Sequence, residues 1–202
     1  MTTTTNPQHF RLILASASPR RAQLLTEAGY TFEVRAPKLR EDDVTGHTDP
    51  RSLAMALAYA KARRIADELD EGVVLGADTI VCLGSEIIGK PADRDDARTL
   101  LGKLSGSTHS VITGVCLVDA RRSDRLMDFE ETLLRMKKLT DRELEDYVQS
   151  GEGLGKAGAY AIQETGDRYV TIVRGSLSNV VGLPMDLTRH LLDQMLKLIR
   201  HN

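Results

Sequence analysis

Hydrophobic and polar positions fall into short blocks along the chain whose periods switch between strand and helix. Phe10 to Ala15 is an apolar run with the pattern of a buried strand, and Ser18-Pro19 is a helix N-cap followed by the proline favoured in a first turn. Ala22, Leu24 and Leu25 continue a helical pattern to Ala28, where Gly29 supplies a left-handed stop. Tyr30 to Arg35 predicts a strand, and Ala36-Pro37 opens a polar loop holding Glu41, Asp42 and Asp43. Asp49-Pro50 repeats the cap-and-proline signal ahead of an alanine- and leucine-rich helix reaching about Leu69. Val73 to Ala77 reads as a strand covered on both faces, as in the middle of an α/β sheet, and is predicted to end on Asp78-Thr79. Ile80 to Leu83 and Glu86 to Gly89, joined by Gly84-Ser85, predict a hairpin that leads directly into Lys90-Pro91.

Asp93 caps an amphipathic helix carrying Ala97, Leu100, Leu101 and Leu104, which Ser105-Gly106 ends. His109 to Asp119 and Thr132 to Met136 predict strands around a polar turn at Arg121 to Asp124. Thr140-Asp141-Arg142-Glu143 is a capping box opening a short helix to about Gln149. A glycine-rich stretch from Gly151 to Gly158 follows, then a strand at Tyr169 to Arg174, a turn at Gly175 to Asn179, and a last amphipathic helix after Pro184 to about Arg200. There is no repeat and no low-complexity linker, so the pattern predicts one α/β domain over residues 10–202 with a shared core, after an N-terminal tail, 1–9, that is disordered or extended.

Composition narrows the function. The 202 residues are 41% hydrophobic and 28% charged, enough for a sizeable core, and a net charge of -2 gives no global attraction for nucleic acid. Cys82 and Cys116 are the only cysteines and both sit in apolar runs, which predicts buried free thiols in a reducing compartment. The start of the chain lacks the basic and apolar regions of a signal peptide, and no apolar segment approaches bilayer length, so a soluble cytoplasmic protein without membrane contact is expected.

The candidate chemistry lies in the loops. Ser16 to Arg21 carries a strand into a helix N-terminus beside two guanidinium groups, an anion site in outline and otherwise a plain turn with two solvated arginines. The cluster at Glu41 is either a solvated loop or a set of metal ligands lacking partners. Asp78 is harder to explain as structure, because a carboxylate at the end of a buried strand is costly unless paired or metal-bound. With Arg20, Arg21, Lys61 and Lys90 as cations and Glu41 and Asp78 as acids, the inventory suits a nucleoside triphosphate with a divalent metal. No Gly-x-x-x-x-Gly-Lys-[Ser/Thr] loop is present, which argues against an ordinary ATPase or kinase.

These residues also carry a resemblance. Ser16-Ala17-Ser18-Pro19-Arg20-Arg21, Glu41, Ala60-Lys61-Ala62, Gly76-Ala77-Asp78-Thr79, Gly89-Lys90-Pro91, Leu104-Ser105-Gly106, Lys156-Ala157-Gly158-Ala159-Tyr160 with Gln163, and Val181-Gly182-Leu183-Pro184 run in order along nearly the whole chain. In these it resembles the Maf family of nucleoside triphosphate pyrophosphatases. The resemblance implies an α/β fold similar to inosine triphosphatases, with a long mixed central sheet in two lobes around a cleft, and a homodimer. It implies hydrolysis between the α and β phosphates to a nucleoside monophosphate and pyrophosphate, with Mg²⁺, or else Mn²⁺ or Co²⁺, as the metal. Ser16, Arg20, Arg21, Lys61 and Lys90 would then hold the substrate, Glu41 would help bind the metal, and Asp78 would be a metal ligand or the general base that prepares the attacking water.

The Arg-Arg, Asp-Thr and Tyr-x-Ile-Gln forms look like the branch acting on dTTP and UTP, and Gln163 could read a pyrimidine edge through its amide or simply end a strand. Arg40, Gly155, Ala161, Glu164 and Leu177 depart from the usual family pattern, which bears on base preference more than on catalysis. Because the family name is tied to septum formation, the competing expectation is a nucleotide-binding regulator of cell division without turnover.

Overall fold

The computed structural model describes residues 10–39, 44, 46, 49–122, 124–162 and 165–201. Within them the chain order is β1 (Leu12–Ala15), α1 (Pro19–Glu27), β2 (Glu33–Val34), α2 (Pro50–Ala66), β3 (Val73–Leu83), β4 (Glu86–Ile88), α3 (Arg94–Leu104), β5 (Thr108–Asp119), β6 (Arg125–Met136), α4 (Asp141–Ser150), β7 (Val170–Arg174), α5 (Leu177–Val181) and α6 (Met185–His201). The strands form a mixed seven-stranded sheet in the order β2-β1-β3-β5-β6-β7, with β4 pairing antiparallel to the end of β3. β1 is parallel to both β2 and β3, whereas β6 and β7 are antiparallel. The chain divides into two compact units, one of Met1–Asp78, Thr113–Phe129 and Gly182–Asn202, the other of Thr79–Ile112 and Glu130–Val181.

The first unit is layered, and the alternation of strand side chains explains why. Leu12, Leu14, Val73, Leu75, Ala77, Val115 and Leu117 face α1 and α6 and pack with Leu25, Leu191, Leu192 and Met195. The intervening residues Ile13, Ala15, Val74, Cys116 and Val118 face α2 and pack with Ala58, Ala62, Ile65 and Ala66. Two glycines let α2 approach the sheet closely. A Cβ on Gly76 would lie 2.2 Å from the Ala58 carbonyl oxygen and 2.8 Å from the Ala62 nitrogen. On Gly114 it would lie 2.4 Å from the Ala54 carbonyl oxygen. Ala54, Ala58 and Ala62 are successive fourth residues, one stripe of the helix, so the seat is built from glycine on the strands and alanine on α2.

The second unit has its own core, in which Ala97, Leu101 and Leu104 of α3 and Leu144, Tyr147 and Val148 of α4 cover Val81, Ile88, Val111, Leu134 and Val170. Buried in it, His109 meets the Tyr160 hydroxyl through Nε2 at 2.8 Å, while its Nδ1 has no hydrogen-bond partner among the described residues. Burial lowers the imidazole pKa from 6.5 to about 4. Each unit holds one buried free cysteine, Cys116 in the first and Cys82 in the second, and burial pushes the Cys116 thiol up to about 12.

Several elements differ from the sequence expectation. The strand expected to stop at Asp78-Thr79 continues unbroken through Asp78 to Leu83. The expected strand from Tyr30 to Arg35 shrinks to Glu33–Val34, because the Tyr30 amide closes the end of α1 on the Leu25 carbonyl and β1 offers only Ile13 and Leu14 for pairing. β6 begins at Arg125 rather than Thr132. Its first half reads as polar because Arg125 stacks on Tyr59, and Arg51 on Phe129, in place of apolar alternation. The expected turn at Gly175 to Asn179 instead contains the start of α5, where the Ser176 hydroxyl accepts the Asn179 amide at 3.2 Å. Residues 1–9 lie outside the described set, and no helix among the described residues is long and apolar enough to cross a membrane.

Two outcomes follow from this packing. Gly114→Ala drives a methyl group into the α2 backbone and should lower stability by roughly 3 kcal/mol or more, read as an earlier urea midpoint with an unchanged slope. For His109, the unfolded chain takes up a proton below pH 6.5 that the folded chain refuses until about pH 4, so stability is lost as pH falls through that window. The loss approaches about 1.4 kcal/mol per pH unit, and His109→Gln should flatten the urea-measured slope between pH 6 and pH 5 by close to one proton.

Candidate functional site

The clearest polar feature of the first unit is an ion pair on the α2 side of the sheet. Asp78 follows Gly76 by two positions on β3 and therefore shares its face. Lys61 precedes Ala62, whose backbone rests against Gly76, so the glycine seat brings the Lys61 ammonium onto Asp78 Oδ1. The two side chains are only 14% and 9% exposed. The carboxylate that is costly to bury alone is thus paired with a cation from the neighbouring layer.

The loop after β1 starts one strand away. Ala15 pairs with Gly76 in the parallel ladder, so β1 ends two residues before the level of Asp78 and Ser16 leaves the sheet one residue further on. Ser16 is buried, and its hydroxyl oxygen accepts the Ser18 amide at 3.1 Å and Arg21 Nη1 at 3.2 Å. Arg21 Nε donates to the Gly182 carbonyl at 2.7 Å. The Arg20 side chain is half-buried and makes no hydrogen bond or ion pair with another described residue.

The start of α1 is electrostatically unusual beside the other helices. Asp49 caps α2 through the Ser52 amide, and Asp93 caps α3 through the Asp96 amide, with Asp95 and Asp96 in the first turn. Thr140 and Glu143 close a full capping box on α4. α1 has Ser18 at its N-cap without a side-chain capping bond, no acid in its first turn, and two arginines there. Positive partial charge of the helix end and positive side chains coincide, an arrangement that a bound anion relieves.

Of the residues singled out from sequence, the structure joins Ser16 to Arg21 and Lys61 to Asp78, all in the first unit. Lys90 belongs to the second unit, on the exposed stretch after β4, where the Gly89 carbonyl accepts the Gly158 amide at 3.0 Å. Glu41, its neighbours Asp42 and Asp43, and Gln163 lie outside the described residues. The contact that sequence reasoning missed is Gly182. Its φ of +116°, a conformation suited to glycine, is the local reason that Val181-Gly182-Leu183-Pro184 needs that residue where the chain turns into α6.

For a divalent metal, Asp78 is a hard oxygen donor of the right kind, and no group of three or more His, Cys, Asp or Glu side chains that could hold an ion occurs among the described residues. A carboxylate oxygen is the donor type that Mg²⁺ takes, and Asp78 would supply one such ligand.

An arginine-flanked helix N-terminus and a buried carboxylate–lysine pair, both in the first unit of a mixed α/β sheet, are features suited to handling phosphate. Comparison with known proteins narrows that reading. The family profile described as Maf-like protein matches residues 11–195, and the chain belongs to that family. The dTTP/UTP pyrophosphatase of Ruminiclostridium cellulolyticum is 41% identical, over 91% of this chain and 95% of that one. The dTTP/UTP pyrophosphatases of Symbiobacterium thermophilum and Anaeromyxobacter dehalogenans are 44% and 46% identical, over 91% and 90% of this chain and 93% and 92% of theirs. Among solved structures, a nucleoside-triphosphatase/dITP/XTP pyrophosphatase from Mycobacterium abscessus superposes with a TM-score of 0.46 at 14% identity, over 95% of this chain and 96% of that one.

The ion pair makes a direct prediction. Lys61→Met leaves Asp78 buried without its partner and should cost about 3 kcal/mol or more, whereas adding Asp78→Asn should recover a large part of that loss. A urea-denaturation double-mutant cycle measures the coupling, and additive effects would count against the pair.

Proposed function

We propose that this chain is a nucleoside triphosphate pyrophosphatase acting on dTTP and UTP, which it converts to the nucleoside monophosphate and pyrophosphate. Its similarity over nine-tenths of its length to proteins named for that activity supports the reaction class. The observation that carries the chemistry is Asp78, buried against Lys61 and one strand away from the uncapped, arginine-bearing start of α1.

In this reading the α1 terminus and Arg20 bind the phosphate chain, where forked donors and free amides match anionic oxygens. Asp78 takes the proton of the attacking water while Lys61 fixes the orientation of its carboxylate. The water oxygen bonds to one phosphorus of the α–β bridge, and the bridging P–O bond breaks with its electron pair departing on the other phosphate. Fixed cations at the loop favour the charge that develops on the departing group. A divalent ion held by Asp78, and by Glu41 as the family motif implies, would supply charge neutralisation and a more acidic water. The roles of Lys90 and Gln163 and the homodimer rest on the family resemblance, and the cytoplasmic location rests on the composition of the sequence. A regulator that only binds nucleotide is the less favoured reading, since binding phosphate does not need a buried carboxylate.

The test is a panel of dTTP, UTP, CTP, GTP and ATP with Mg²⁺, with products separated by ion exchange. Monophosphate plus pyrophosphate from dTTP and UTP is expected. Diphosphate plus orthophosphate would overturn the cleavage site, and binding without product would favour the regulator. Asp78→Asn should lower kcat about 10²- to 10⁴-fold with the circular dichroism spectrum retained.

A further inference from the structure

We propose that Arg21 is a positioning residue that aims the Ser16 hydroxyl at the substrate, and that direct phosphate contact in the Arg20-Arg21 pair belongs to Arg20. The inference rests on the nucleotide reading above and concerns how its phosphate loop works.

A serine hydroxyl has one proton to donate and two lone pairs to accept with. At Ser16 both acceptor positions are taken, one by the Ser18 amide at 3.1 Å and the other by Arg21 Nη1 at 3.2 Å. Ser16 is only 4% exposed, and no described residue accepts its proton. The hydroxyl is therefore a committed donor, buried at the root of the anion loop with its two acceptor sites filled by cationic and amide donors that polarise the O–H bond. An anionic phosphate oxygen is the partner such a group suits.

Arg21 makes this arrangement from one planar group. Its Nε reaches the Gly182 carbonyl at 2.7 Å while Nη1 holds Ser16, so a single guanidinium ties together the loop after β1, the first turn of α1 and the turn before α6. The two bonds leave different edges of one rigid planar group, a span that a lysine ammonium, a point charge on a flexible stem, does not reproduce. The Gly182 carbonyl is presented by a backbone at φ +116°, so its direction is set by the chain and not by a side chain. Arg20, half-buried and without a described partner, has no comparable structural tie.

The two roles separate in steady-state kinetics on dTTP with Mg²⁺. If Arg21 positions, Arg21→Lys should fail to rescue, and Arg21→Lys, Arg21→Met and Ser16→Ala should each cut kcat about 10- to 100-fold with KM moved less than about threefold. Ser16→Thr should restore much of the rate, and Ser16→Ala combined with Arg21→Met should be little worse than the weaker single variant, because both break one linkage. Arg20→Met should instead raise KM about tenfold, with partial rescue in Arg20→Lys.

Near-normal kcat and KM in Arg21→Lys, alongside a raised KM in Arg21→Met, would make Arg21 a simple charge on phosphate and overturn the inference while leaving the nucleotide reading intact. If Arg21→Met does not fold, Ser16→Ala and Ser16→Thr decide, and equal activity in those two would overturn it as well. A wild-type chain that neither hydrolyses dTTP nor binds inorganic pyrophosphate by calorimetry would overturn the reading and the inference together.

Discussion

The approach of α2 to the sheet is the constraint on which the rest of the first unit depends. Helices ordinarily rest on a sheet through side chains, but Gly76 and Gly114 leave no side chain between strand and helix, and the alanine stripe Ala54, Ala58 and Ala62 completes the fit. This closeness lets Lys61, a residue on the helix seated there, meet a carboxylate in the middle of a strand. Without the seat, Asp78 would be an unpaired charge inside a sheet, and the strand that carries it would have reason to end there.

Much of the fold was legible because local signals agreed with one another. Asp93, Asp49 and Thr140 were readable as caps since each offers a side-chain oxygen to a specific amide, and each does so in the structure. β3 was misread at Asp78 because a charged residue looks like a boundary until its partner, seventeen residues earlier on another element, is known. β6 was misread for a related reason: arginine groups stacked over the Tyr59 and Phe129 rings take the place of a period of two in the apolar residues.

At the site, residue types were easier to see than their division of labour. Ser16, Arg20, Arg21, Lys61 and Asp78 were all visible as candidates, yet two adjacent arginines in one turn are indistinguishable by sequence alone. A helical rotation of about 100° per residue gives them different neighbours. Only Arg21 reaches Ser16 and a carbonyl located 161 residues later. Gly182 was equally invisible as a participant, because its contribution is a backbone oxygen and the sequence does not encode where a carbonyl points.

The two buried thiols turn the molecule into its own reporter. Cys116 lies under α2, fully covered in the first unit, and Cys82 is buried in the second. A thiol held near pKa 12 is almost wholly protonated at neutral pH and, once shielded, ignores alkylating reagents until its surroundings open. Labelling at Cys116 therefore times the lifting of α2 from its glycine seat, while labelling at Cys82 times the opening of the other core. Mass spectrometry of the two peptides would resolve, in native buffer and without any engineered probe, whether the chain opens as one cooperative body or as two.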